Sequence, residues 1–284
     1  MTAMTTSGRT AVAPPEPRAR FRDLLAAERI KLWSLRSTSW VFGLSALAVI
    51  GINANAARAD YDNWPGYGAS IRASFVPYWA MRDAFTRPAC LVLMLAAGSI
   101  GAITIVSEYS TGLIRTTFAA VPARRSVLAA KVTIVAAVSL LFGLVIAATS
   151  FGVTQAILSG RHAGLSISYP GALRTVAASA LLAPVCALIG MGIGAIIRHS
   201  ATTIVITIVV LLLLPILIDS TLHRWVNDLH NAMPFPAWER LTFPGNPAFG
   251  GSSLATITGS WIVLALWPLV AVILGAAFVH RRDL

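Results

Sequence analysis

The sequence predicts an all-α, polytopic membrane protein with about six transmembrane helices, both termini on the inner side, and an N-terminal amphipathic helix in the interface. Three observations predict it. Only 12% of the 284 residues are charged while 56% are hydrophobic, about half the charged share of a soluble domain, and mean hydropathy is +0.74. So little polar surface cannot cover a core in water, and a bilayer removes the need. The apolar residues also gather into runs of membrane length, and the basic residues gather between those runs.

The elements follow in chain order. Residues 1 to 19 hold Pro14, Pro15 and Pro17 and no apolar stretch, so they read as a disordered cytoplasmic tail rather than a signal peptide. Residues 20 to 284 read as one transmembrane domain. A membrane helix needs about 20 apolar residues, and six segments supply them: 40 to 57, 88 to 107, 132 to 158, 175 to 197, 201 to 218 and 257 to 279. The first is the most polar, with Asn53 and Asn55 near its end.

Charge orients these spans. With both termini inside, the inner segments hold Arg9, Arg18, Arg20, Arg22, Arg29, Lys31, Arg36, Arg115, Arg124, Arg125, Lys131, Arg198, Arg281 and Arg282. The outer segments hold the smaller remainder of the 22 Lys and Arg, as expected because basic residues resist translocation. The net charge of +11 therefore reads as topology signal and contact with anionic lipid, not nucleic-acid binding. Two long outer loops, about 58 to 87 and 219 to 256, carry Trp, Tyr and Pro. Such residues favour headgroup depth, so these loops lie on or dip into the outer leaflet, and 219 to 256 is a candidate for re-entry.

Two inner segments carry more than connection requires. Residues 20 to 36, RFRDLLAAERIKLWSLR, place Phe21, Leu24, Leu25, Leu32 and Leu35 on one helical stripe, with Glu28 in its middle. The segment is too charged to span and suits the interface. A carboxylate in that stripe needs a partner. Lys31 or Arg29 at the membrane rim would serve, or Glu28 meets a cytoplasmic partner or caps another helix. Residues 107 to 131, SEYSTGLIRTTFAAVPARRSVLAAK, exceed a simple connector. They fit a short surface helix from about Gly112 to Ala120, stopped by Pro122. Solvated positive charge accounts for Arg124 and Arg125, but not for a Glu108–Tyr109 pair at the membrane edge. Lys131 is the one charge inside a clear span, near its inner boundary, where it can snorkel.

On these stretches the chain resembles the type-2 ATP-binding-cassette transport permeases, export-type membrane subunits of bacteria. AAERIKLWSLRSTSW resembles the family's elbow helix, with Glu28, Lys31 and Trp33. SEYSTGLIRTTFAAVPARRSVLAAK resembles its coupling loop, with Glu108, Tyr109, Gly112 and Arg115 at matching places. LIGMGIGAIIRHSATTIV, residues 188 to 205, is similar to the glycine-rich end of its fourth helix and the start of its fifth. The resemblance implies a permease subunit in the bacterial plasma membrane that holds no ATP site. A separate cytoplasmic ATPase subunit, carrying ATP and Mg, would dock on the coupling loop, and a second permease copy would complete a homo- or heterodimer. Consistently, the sequence contains no GxxxxGK[ST] phosphate loop. Gly190 and Gly194 form a GxxxG pair suited to close helix packing, within the chain or at a subunit interface.

Other chemistry is thin. Cys90 and Cys186 stand in apolar runs without CxxC spacing and read as small packing residues. No HExxH, GxSxG or SxxK occurs, so no catalytic or metal-ligating residue is assigned and no enzyme is expected. Asp219, His223, Asp228 and His230 share an outer loop and read as solvated side chains before a metal site. The spans show no ion-coupling pair of the kind secondary transporters need. The leading expectation is an exporter permease for a hydrophobic or amphipathic substrate. The alternatives are a non-transporting scaffold or sensor component and an intramembrane enzyme.

Overall fold

The computed structural model describes residues 20–34, 36–121, 123–218, 224–243 and 256–282. It is 87% helical and, among the described residues, contains no strand. The elements are α1 (Phe21–Ser34), α2 (Arg36–Asn63), a 3-10 turn (Trp64–Gly66), α3 (Ala69–Ser74), α4 (Tyr78–Ala84), α5 (Arg87–Ser110), α6 (Leu113–Ala120), α7 (Arg124–Ser159), α8 (Ala172–Ile197), α9 (Ser200–Ile208), a π-turn (Val209–Leu213), α10 (Leu214–Leu217), α11 (Arg224–Asn231), α12 (Pro234–Thr242) and α13 (Ile257–Arg282). Among the described residues, six helical segments are long and apolar enough to cross a membrane: Thr38–Gly66, Tyr78–Ser110, Arg124–Ser159, Ala172–Ile197, Ser200–Leu217 and Ile257–Val279. This is the architecture of a multi-pass membrane protein.

The helices outrun the apolar runs because backbone hydrogen bonds do not stop where hydropathy does. α2 continues to Asn63 rather than ending near residue 57, and α7 begins two turns before its apolar stretch. Asn53 does not weaken the first span, because it is buried among partners. Its side chain accepts from the Thr86 backbone N–H at 3.1 Å and the Thr86 hydroxyl at 2.8 Å, and its amide donates to the Ser150 hydroxyl at 3.2 Å.

Burial sorts the spans into two layers. In the most apolar windows of the α8 and α4–α5 spans, 72% and 67% of residues are buried, against 17–28% in the other four. α8 is central and packs against α5, α7, α9 and α13. Lipid supplies no hydrophobic drive between helices, so small residues must let backbones approach. A methyl group on Gly101 would collide with the Ala187 carbonyl, one on Gly143 with the Ala180 carbonyl, and one on Gly190 with the Gly98 carbonyl. The peripheral helices turn Leu44, Leu47, Leu141, Leu266, Leu269 and Ile273 outward. That much exposed apolar surface suits a bilayer, not water.

The π-turn in the fifth span has a local cause. Pro215 cannot donate to the carbonyl four residues back, and its ring crowds that carbonyl. A widened turn just before it, over Val209–Leu213, accommodates the proline without breaking the span.

The long connectors are helical and packed. Within the 219–256 segment, residues 219–223 and 244–255 lie outside the described residues. α12 lies against α8: the Trp238 indole N–H donates to Ser179 Oγ at 3.0 Å, and Arg174 Nε donates to the Leu241 carbonyl at 3.0 Å. Ser179 is two turns into α8, so Trp238 reaches about 10 Å along that span. Glu239 pairs with Arg87 at the start of α5.

Candidate functional site: a buried ring of four charges

The site forms at the end of the bundle where α5 finishes, α7 begins and α1 lies across them. α5 ends at Ser110, with Thr111 as its cap. Gly112 then takes the left-handed conformation (φ +72°) and starts α6. That backbone geometry favours glycine; it turns the chain from α5 into α6, whose Ile114 is buried, and leaves Glu108 buried on the last turn of α5. The chain returns through residues 121–123, of which Pro122 lies outside the described residues, into α7, whose second turn presents Lys131.

α1 buries Glu28 and Leu32 against this junction and leaves Phe21 and Trp33 about half exposed. Leu35, expected on its apolar stripe, lies outside the described residues. The carboxylate that interrupts the stripe is therefore the reason α1 docks. Lys31 Nζ donates to Glu28 Oε1 at 2.8 Å and lies 3.1 Å from Glu108 Oε1. Lys131 Nζ donates to Glu108 Oε1 at 2.8 Å and pairs with Glu28 Oε2. Two carboxylates and two ammonium groups thus close a neutral ring across α1, α5 and α7, joining residues 103 and 23 positions apart.

Glu28, Glu108 and Lys131 are each 4–5% exposed. Lys131 does not snorkel to the surface; it is buried between the two acids. An isolated charge at such depth costs several kcal/mol, and opposite charges with hydrogen bonds offset that cost. Lys31 sits at the rim with 26% of its side chain exposed. Burial works to lower its pKa, but the hydrogen bond to Glu28 and the charges of Glu108 and Glu28 outweigh it and hold the ammonium above its ordinary value of 10.5.

A cavity of about 150 Å³ opens beside the ring. Glu28, Lys31, Ser34, Ser107, Glu108 and Lys131 are among its polar lining, and Leu32, Leu113, Ile134 and Val135 form its apolar wall. Tyr109, the next residue along α5, has the Arg198 guanidinium 4.6 Å from its ring. Arg198 itself caps α8 in a left-handed conformation (φ +63°). This second contact fastens the end of α5 to the end of α8.

Of the residues singled out in the sequence, Glu28, Lys31 and Glu108 meet in the ring, and Tyr109 and Gly112 flank it. Arg115 lies on α6, where only its backbone is described. Trp33 packs near Phe42 of α2, ring centres 5.8 Å apart. Gly190 and Gly194 both face α5, Gly194 against Ile105 and Val106. Of the outer-loop acids and histidines, Asp219 and His223 lie outside the described residues, and no group of three or more His, Cys, Asp or Glu that could hold a metal occurs among the described residues. The sequence missed that Lys131 joins Glu28 to Glu108. The signal was available: one lysine inside a span and two acids at the edges of neighbouring segments at the same end of the bundle.

Comparison with protein-family models gives no match, and comparison with curated proteins gives none either.

Proposed function

We propose that this chain is the membrane-spanning subunit of an ATP-binding-cassette exporter, moving a hydrophobic or amphipathic substrate across a bacterial plasma membrane with ATP hydrolysed by a separate subunit. One observation carries the reading. A short helix, α6, stands at the end of the bundle, and directly behind it a buried charge ring locks α1 to the ends of α5 and α7. A push on α6 would reach three helices together, because the ring resists being pulled apart. That is what a chain driven by an external motor needs. The basic residues concentrated at this end support placing it on the cytoplasmic side, where the ATPase subunit docks.

The test is co-expression with a partner ATPase and reconstitution in vesicles. The reading expects ATP-dependent movement of an amphipathic dye, and loss of both movement and ATPase co-purification in Arg115→Glu, with membrane insertion retained. Arg115 belongs to α6 and the variant leaves Glu28, Lys31, Glu108 and Lys131 unchanged, so it separates docking from folding. Normal ATPase binding in Arg115→Glu removes the docking assignment. Absence of ATP-dependent flux with an ATPase that does bind favours a non-transporting scaffold.

A further inference from the structure

The cavity beside the charge ring retains hydrogen-bonding capacity that the ring does not use. Glu108 accepts both lysines on Oε1, and its Oε2 has no partner among the described residues. Lys31 has three N–H donors and spends two on Glu28 and Glu108. At the rim the Ser34 and Thr111 hydroxyls donate to the Lys31 and Ser107 carbonyls, each at 2.8 Å, which leaves the Ser107 hydroxyl to donate into the cavity. The site thus offers one free anionic acceptor and one free cationic donor, in a space of about 150 Å³. That is room for about five water molecules, or for a small polar headgroup.

The ring is already neutral. A ligand with net charge would leave an uncompensated charge in a largely buried place, whereas a zwitterion brings none. The apolar wall continues out of the cavity. Ile134, Leu141 and Val145 are spaced by seven and eleven residues on α7 and so share one face, and Leu141 and Val145 are 63% and 53% exposed. A polar cavity that opens onto an apolar stripe fits an amphiphile whose chain lies along the helix.

We propose that this cavity holds the zwitterionic headgroup of a membrane phospholipid with a primary ammonium, of the phosphatidylethanolamine class. The ammonium donates to Glu108 Oε2, the phosphate accepts from the third Lys31 N–H and the Ser107 hydroxyl, and an acyl chain follows the Ile134–Leu141–Val145 stripe. A trimethylammonium headgroup has no N–H for Glu108, and a glycerol headgroup has no cation, so the site selects among lipids. The proposal rests on the membrane reading of the chain and not on the transport reading, and its test needs no ATPase.

The test titrates the purified full chain in a nonionic detergent with phosphatidylethanolamine, phosphatidylcholine and phosphatidylglycerol of identical acyl chains, and reads bound lipid by native mass spectrometry. The expected result is retention of phosphatidylethanolamine at concentrations about tenfold lower than the other two. Ser107→Leu, which fills the cavity but keeps all four ring charges, should erase that preference. Ser107→Ala, which leaves the cavity open and removes the donating rim hydroxyl, should reduce it. Equal retention of the three lipids, or unchanged selectivity in both variants, overturns the proposal. Displacement of the lipid by free phosphoethanolamine at matching concentration overturns the lipid as occupant and assigns the cavity to a soluble zwitterion.

Discussion

Replacing Lys131 by methionine probes the charge ring most sharply. The side chains are similar in length, so packing is nearly conserved and the ammonium is what disappears. In the native ring Lys131 serves both acids at once, donating to Glu108 at 2.8 Å and pairing with Glu28. After the change both carboxylates must share Lys31, which is partly solvated. One negative charge is then left uncompensated among residues that are 4–5% exposed. Breaking a buried pair in this way costs about 3–5 kcal/mol. The assay is reversible unfolding in mixed micelles, with the free energy compared between variant and parent. The double variant Glu28→Gln, Lys131→Met restores neutrality, since Glu108 keeps Lys31. Its loss should therefore be smaller than the sum of the two single losses by about 1–3 kcal/mol. A loss below about 1 kcal/mol for Lys131→Met, or strict additivity in the double variant, would refute the buried ring.

Three further outcomes follow from the packing and the titration. Gly101→Ala drives a methyl into the Ala187 carbonyl and should cost about 1–3 kcal/mol or more, whereas Gly152→Ala meets nothing within 4 Å and should stabilise by up to about 1 kcal/mol; the same unfolding assay reads both. Asn53→Leu strands the Thr86 N–H and hydroxyl and the Ser150 hydroxyl, so it should destabilise by about 1–3 kcal/mol even though it makes the span more apolar. The Lys31 pKa is raised in the folded state, so its contribution to stability is complete below about pH 10.5 and lost as pH climbs through the folded value. Lys31→Arg keeps the charge at those pH values and should remove the alkaline step in a pH-dependent melt.

Most of the fold was legible because membrane helices announce themselves by length and hydropathy. The predicted span of 88 to 107 and the observed α5, Arg87–Ser110, differ by a turn or less at each end. The polar content of the spans was not legible in the same way. Hydropathy treats Asn53 as a liability and Lys131 as a residue seeking water, because it scores each residue alone. Whether a polar side chain is costly depends on partners that lie 23 to 103 positions away. The same limit held for Glu28. Its position in an apolar stripe showed that it needed a partner, but only the approach of α1 to α7 identified Lys131 as that partner. The glycines were readable as close-packing residues, though Gly101 and Gly143, which approach α8 as closely as Gly190 approaches α5, carry no motif that singles them out.

The proposed function requires α6 to be the place where an external ATPase delivers its force. The direct measurement is photo-crosslinking in native membranes from a probe at Thr116, an exposed position on α6, with captured proteins identified by mass spectrometry. The expected result is capture of a subunit containing a GxxxxGK[ST] phosphate loop, with a yield that changes when ATP and vanadate trap the nucleotide-bound state. A probe reachable only from the outer face, or one that captures no such subunit when that subunit is co-expressed, would contradict it.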